Sequence, residues 1–134
     1  MANNVNNYLR VECISPEGQK VWDSFIERID ALPDRGHLTG LFYEADEEGY
    51  WINSEGERVG HEAGEAVGAK WAFADDASDD YMNIESAWGP VLPLAEHIAK
   101  EIGKVDPSFR MVITYEDEMP NFVGVATFNA EGMD

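Results

Sequence analysis

Val67-Gly-Ala-Lys-Trp-Ala-Phe-Ala74, then Asp75-Asp-Ala-Ser-Asp-Asp80, then Tyr81-Met-Asn-Ile-Glu-Ser-Ala-Trp-Gly-Pro90 is the stretch whose reading decides the fold. In its first segment Val67, Ala69, Trp71 and Phe73 alternate with Gly68, Lys70, Ala72 and Ala74, the period of two that buries one face of a strand. The acidic hexapeptide reads as a turn. Beyond it Met82, Ile84 and Trp88 face inward from a second strand, against Tyr81, Asn83 and Glu85, and Gly89-Pro90 breaks that strand. Trp71 and Trp88 are therefore expected in the core, where large apolar area packs under helices.

Downstream, Val91, Leu94, Ala95, Ile98 and Ile102 share one face of a helix with Pro93 in its first turn and Gly103 as its stop. Phe109, Met111, Ile113 and Tyr115 form the next strand, Glu116–Asn121 a turn, and Phe122–Asn129 a closing strand. Upstream, residues 1–6 read as a loose start, and Leu9, Val11 and Cys13 as the inward face of a first strand. Ser15-Pro16 opens a helix from about Glu17 to Asp30, because the serine accepts an orphan amide bond and proline has none to lose. Val21, Trp22, Phe25, Ile26 and Ile29 are its apolar stripe.

Residues 37–66 interrupt this plan. Leu41-Phe-Tyr43 and Tyr50-Trp-Ile52 flank an acidic tip, so a hairpin within an insertion is expected, with eight carboxylates against the single cation Arg58. The whole reads as one α+β domain over residues 1–134, with core 7–36 and 67–129 and an insertion at about 37–66. Its order predicts a ferredoxin-like split βαβ sandwich: an antiparallel sheet, two helices on one face, and an extra strand from the C-terminal hairpin.

The formal charge of −18, from 27 acidic and 9 basic residues, disfavours binding to phosphates or anionic lipid. It favours a basic partner, a saline habitat, or a surface that imitates a polyanion. No window reaches the roughly 18 apolar residues of a membrane span, and Met1-Ala-Asn-Asn lacks the features of a secretory signal, so a cytoplasmic location is expected. The lone Cys13 excludes an internal disulfide and a cysteine zinc cage, and its strand position predicts a packed thiol.

Glu44, Asp46, Glu48 and Glu55, with Gly49 at the turn position, follow the rhythm of a calcium loop, and the four carboxylates are the metal candidates. Glutamate stands where that loop needs short side chains, and no amphipathic helices flank it, so an acidic hairpin tip is the plainer reading. His37, His61 and His97 are scattered, with His97 expected to face water, and Ser86 lacks a nucleophile-elbow context. No cofactor and no catalytic activity are expected. Tyr8, Arg10, Lys70 and Tyr81 could decorate an open sheet face, but the basic-aromatic pattern of RNA binders is missing. Tyr50 and Trp51, with Glu47, Glu48, Asp75, Asp76, Asp79 and Asp80, are the candidate partner-binding residues.

Four short stretches carry a resemblance. Asn7-Tyr-Leu-Arg-Val11 resembles the opening Asn-x-Leu-x-Val strand of Api92-like proteins of bacteriophages and mobile elements, and Gly68-Ala-Lys-Trp71 resembles their Gly-Thr-Lys-Trp. Ser86-Ala-Trp-Gly-Pro90 is similar to their Thr-Ala-Trp-Ser-Pro, and Tyr115-Glu116 with Asn121-Phe-Val-Gly124 to their closing Tyr-x-Glu and Phe-x-Gly. The matches fall in order over residues 7–14 and 67–129. The chain departs where Asn3-Asn-Val5 replaces Asn-Trp-Cys, and residues 37–66 have no counterpart. The resemblance implies a ferredoxin-like domain and a phage origin, hence the host cytosol, and implies no reaction.

The expectation is a small acidic accessory protein that binds a basic or nucleic-acid-binding protein, in the manner of a nucleic-acid mimic. The alternatives are a metal or small-ligand site between sheet and insertion, and acidity that is only saline adaptation. The uncharged strand Phe122–Asn129 leaves an edge, so a monomer or an edge-strand homodimer is expected.

Overall fold

The computed structural model describes residues 4–33, 37–60, 62–118 and 122–133. In chain order the elements are β1 (Asn4–Cys13), α1 (Pro16–Asp30), a 3-10 turn (Leu38–Leu41), β2 (Glu44–Ala45), β3 (Trp51–Ile52), α2 (Glu62–Val67), β4 (Ala72–Ala77), β5 (Tyr81–Ala87), α3 (Leu92–Gly103), β6 (Arg110–Asp117), β7 (Val123–Asn129) and β8 (Gly132–Met133). The fold is α+β. One sheet runs in the order β4-β5-β1-β6-β7-β8 with every neighbouring pair antiparallel, and β2-β3 form a separate short hairpin. No helix among the described residues is long and apolar enough to cross a membrane.

Val5, Leu9, Met82, Ile84, Met111 and Ile113 point to one face of the sheet. There they meet Trp22, Phe25 and Ile29 of α1 and Leu94, Ala95, Ile98 and Ile102 of α3. Both helical stripes are as the periodicity predicts. Ser15 caps α1, its Oγ accepting from the Gly18 N–H at 3.1 Å, with Pro16 at the first helical position. The opposite face of the sheet carries Tyr8, Arg10, Tyr81, Thr114, Val123 and Val125, with Tyr8 and Tyr81 in ring contact at 5.9 Å.

Several expectations are overturned. β1 begins at Asn4, not Asn7, because residues 4–6 pair with β5 and residues 5–6 also with β6. Cys13 is exposed rather than packed: Val11 pairs with Met111 but Cys13 with Arg110, so Glu12 is an extra residue and the bulge turns Cys13 outward. Val67 belongs to α2, and β4 starts five residues later with the opposite face inward. Ala72 and Ala74 are buried, while Trp71 and Phe73 are half-exposed. Trp88 is exposed, and the tryptophan at the centre of the core is Trp22, whose Nε1–H donates to the Ser78 carbonyl at 2.8 Å. His97 does not face water but lies half-buried, edge-on to Phe25 and Phe42. α3 does end at Gly103, as expected, and a Cβ there would stand 2.2 Å from the Ala130 carbonyl oxygen.

Segment 37–66 does more than decorate the surface. Leu38 and Leu41 join the main core, and Ala63 and Val67 of α2 are buried. A hairpin with an acidic tip is present and its second arm is Trp51–Ile52 as expected, but its first arm is Glu44–Ala45 rather than Leu41–Tyr43, because Leu41 closes the 3-10 turn. The turn residues 119–121 lie outside the described residues.

Asp106 ties the end of α3 to the start of α1. Its Oδ2 accepts from the Ser15 N–H at 2.7 Å, and its Oδ1 from the Ser108 N–H at 2.9 Å and the Ser108 hydroxyl at 2.6 Å. Burial alone pushes this carboxyl up, but the bonds from Ser108 and Ser15 outweigh it and hold the pKa below the ordinary value. A lowered folded pKa stabilises above the unfolded value and loses that contribution as pH falls through the folded one. Asp106→Asn is thus expected to cost about 2 kcal/mol at neutral pH, since it removes charged hydrogen bonds. The gap to the parent protein should begin to narrow below about pH 4 and close only as pH falls through the lowered pKa of the folded carboxyl. Urea unfolding of both proteins at neutral and acid pH measures it; a constant gap would refute the assignment.

Candidate binding site: a tryptophan-lined cleft

The backbone around Trp88 is set by a buried asparagine. Asn7 occupies an inward position of β1, between Val5 and Leu9, and is 2% exposed. Its Nδ2 donates to the Ile84 carbonyl at 3.1 Å and to Ser86 Oγ at 2.9 Å, with a longer contact to the Val5 carbonyl. Its Oδ1 accepts from the Val91 N–H at 3.0 Å. Ser86 Oγ in turn donates to the Gly89 carbonyl at 2.7 Å. One side chain therefore clamps both ends of the link between β5 and α3.

Within that clamp Trp88 has φ +74°, and it is the only non-glycine residue with positive φ among the described residues. A left-handed non-glycine residue costs roughly 1–3 kcal/mol and persists only where its surroundings over-determine it. Had the strand continued, Trp88 would point inward with Met82 and Ile84. The left-handed turn sends the indole outward instead, and it is 57% exposed.

Trp88 borders a cleft of about 650 Å³, within the range of sites that hold a small molecule or a partner side chain. Trp51 of β3 and Glu65 of α2 line its insertion side, Lys70 precedes β4, and Gly64, Gly68, Gly89, Ala63 and Ala69 give it a floor without bulk. The floor is closely built. Gly68, at φ +100°, ends α2 with its N–H donating to the Gly64 carbonyl at 2.8 Å, and it abuts Pro90 and Pro93. The Gly68 and Gly89 segments touch directly. Asn7, Gly68–Trp71 and Ser86–Pro90, from three of the four stretches that carry the family resemblance, thus meet at one place.

The sequence-predicted site residues divide. Trp51 lines the cleft; Tyr50, its neighbour, is 53% exposed at the hairpin tip under the Arg58 guanidinium, 3.9 Å from its ring centre. Asp46 Oδ1 accepts from the Glu48 and Tyr50 N–H groups, both at 2.9 Å, and Arg58 bridges Asp46 at 3.3 Å and Glu48 at 3.0 Å. The Tyr50 amide chiefly, with the Glu48 amide and Arg58, holds the Asp46 carboxyl below its ordinary value against the upward push of desolvation. Two of the metal candidates are therefore occupied by a cation of the chain itself. Glu44 is exposed on β2, and the Glu55 N–H donates to Asn53. Among the described residues no group of three or more His, Cys, Asp or Glu is arranged to hold a metal ion.

Glu47 is exposed at the tip, and Asp75 and Asp76 are exposed on β4, Asp76 accepting from Tyr81 and Asn83. Asp79 and Asp80 lie in the turn at the far end of the β4–β5 hairpin, a strand's length from Trp88. The acidic residues form a spread field, not one cluster around the cleft. Lys70 lines the cleft rather than the open sheet face. Sequence reading missed Trp88, Asn7 and Ser86. The available signal is a polar residue at an inward strand position, which must find a buried partner.

Comparison with family models, with curated proteins and with solved structures returns no match for this chain.

Proposed function

We propose that this chain is a non-enzymatic protein-binding module, an accessory protein on a ferredoxin-like split βαβ plan related to the Api92-like group. Its partner is a basic, nucleic-acid-binding protein. The observation that carries the reading is Trp88, a large exposed aromatic held in a costly conformation by a fully bonded buried network beside a second tryptophan. Exposed, pre-organised tryptophans are the anchors around which protein interfaces concentrate their energy. Charge supplies the partner's sign: a field from −18 attracts a basic chain at long range and repels nucleic acid itself. A cationic side chain entering the cleft would meet two indole faces and Glu65, a cation–π arrangement. The small floor also admits a planar small ligand, which would be recognised by the same tryptophans but without the dependence on salt.

The test is titration with arginine-rich peptides, followed by calorimetry. Affinity should fall as salt rises from about 50 to about 150 mM. Trp88→Ala should lower affinity at least about tenfold while changing stability by less than about 1 kcal/mol, since the side chain is mostly in water. Equal affinity for the parent and Trp88→Ala would refute the cleft as the anchor. Salt-independent binding would refute the electrostatic part.

A further inference from the structure

We infer that β7 pairs with β7 of a second copy, joining two sheets through their edges in an antiparallel dimer centred on Val125. β8 covers only one end of this strand, pairing with Phe128 and Asn129, and nothing among the described residues pairs with the outer edge of Val123–Thr127. The hydrogen-bond direction along β7 follows from its start. The Asp117 N–H donates to the Phe122 carbonyl, so Phe122, Gly124 and Ala126 bond inward to β6, and Val123, Val125 and Thr127 aim their N–H and C=O groups outward. Val123 and Val125 are also 72% and 65% exposed.

The edge is self-complementary. A two-fold axis at Val125 places it against its own copy and Val123 against Thr127, and each of those pairs joins outward-facing backbone groups. Edges are ordinarily protected by charge or proline, yet Val123–Asn129 holds neither and lies within the longest uncharged run of the chain, Met119–Ala130. That decides the occupant. Two copies carrying −18 each repel everywhere else and can approach through this patch, whereas a basic chain is drawn to the carboxylates.

The dependence on salt separates this dimer from the partner binding proposed above. Screening weakens attraction between opposite charges and relieves repulsion between like ones. Sedimentation equilibrium of the full chain should show a dimer whose dissociation constant tightens from about 50 to about 500 mM salt. Val125→Lys puts two ammonium groups across the axis and should weaken the dimer at least about tenfold, even though it lowers the overall repulsion. Because Val125 is exposed, the variant should keep its thermal midpoint; Thr127→Lys provides a second variant at the rim. Amide exchange at Val123, Val125 and Thr127 should slow as protein concentration rises. A monomer at every concentration, or a dimer indifferent to both variants, overturns the proposal. Protection that appears with a basic peptide but not with protein concentration would assign the edge to a foreign strand and overturn it equally.

Discussion

Gly68→Ala is expected to destabilise the protein by about 3–5 kcal/mol, the sum of two independent penalties. The first is conformational: at φ +100° a Cβ is strained whatever the space around it. The second is steric, since that Cβ would stand 2.4 Å from Pro93 Cδ and 3.0 Å from the Pro90 carbonyl oxygen. Neither neighbour yields easily, because the proline ring is fixed in the first turn of α3 and the Pro90 segment is tied to Asn7 through Val91. Gly60→Ala separates the two penalties. Its φ is +54° and nothing lies within 4 Å of its Cβ direction, so only the conformational cost of about 1 kcal/mol should remain. Urea unfolding of the two variants measures the difference, and equal losses would show that the wall between α2 and α3 yields freely. Gly68→Ala should also weaken peptide binding, since it pushes apart the segments that form the floor of the cleft.

Helices α1 and α3 were legible, while α2 and part of the sheet were not, for reasons that differ by residue. Trp22, Phe25 and Ile29, like Leu94, Ile98 and Ile102, recur at helical spacing against polar neighbours, so only one face could be buried. In β4 the alternation is between large apolar and small apolar residues. Hydropathy then identifies a strand but not its inner face, and Ala72 and Ala74 take the core because the insertion brings Leu38 and Leu41 to the same side. The β1 bulge and the left-handed Trp88 are single-residue backbone events with no periodic signature, and each reversed the side of a nearby residue, Cys13 and Trp88 itself. β8 is two residues long, below what any pattern can announce. Of the site, Trp51 was marked by its place in a polar segment. Trp88 was hidden because strand parity counted it as core, although the Gly89-Pro90 that follows it is the breaker that makes the turn.

Asn7→Leu is expected to cost about 2–4 kcal/mol although it replaces a polar core residue with an apolar one of similar size. Swapping a lone polar group for a hydrocarbon is often neutral, but Asn7 is the centre of a network whose other members stay behind. The Val91 N–H, in a fully buried residue, loses its acceptor, and Ser86 Oγ keeps its bond to Gly89 while losing its donor. The loss should be non-additive with Ser86→Ala, as for residues sharing one network, so the double variant should cost less than the two singles together. Asn7→Asp sharpens the point: a carboxylate can still accept from Val91 but cannot donate to Ile84 or Ser86, and it brings a charge into the core. It should be less stable than Asn7→Leu at neutral pH and recover as the pH is lowered toward protonation of the new carboxyl, because burial raises its pKa. If Asn7→Leu unfolds within about 0.5 kcal/mol of the parent, the clamp is not what holds the turn. In that case the exposed indole would owe its conformation to the Gly68–Pro93 wall alone, and Gly68→Ala would release it while Asn7→Leu would not.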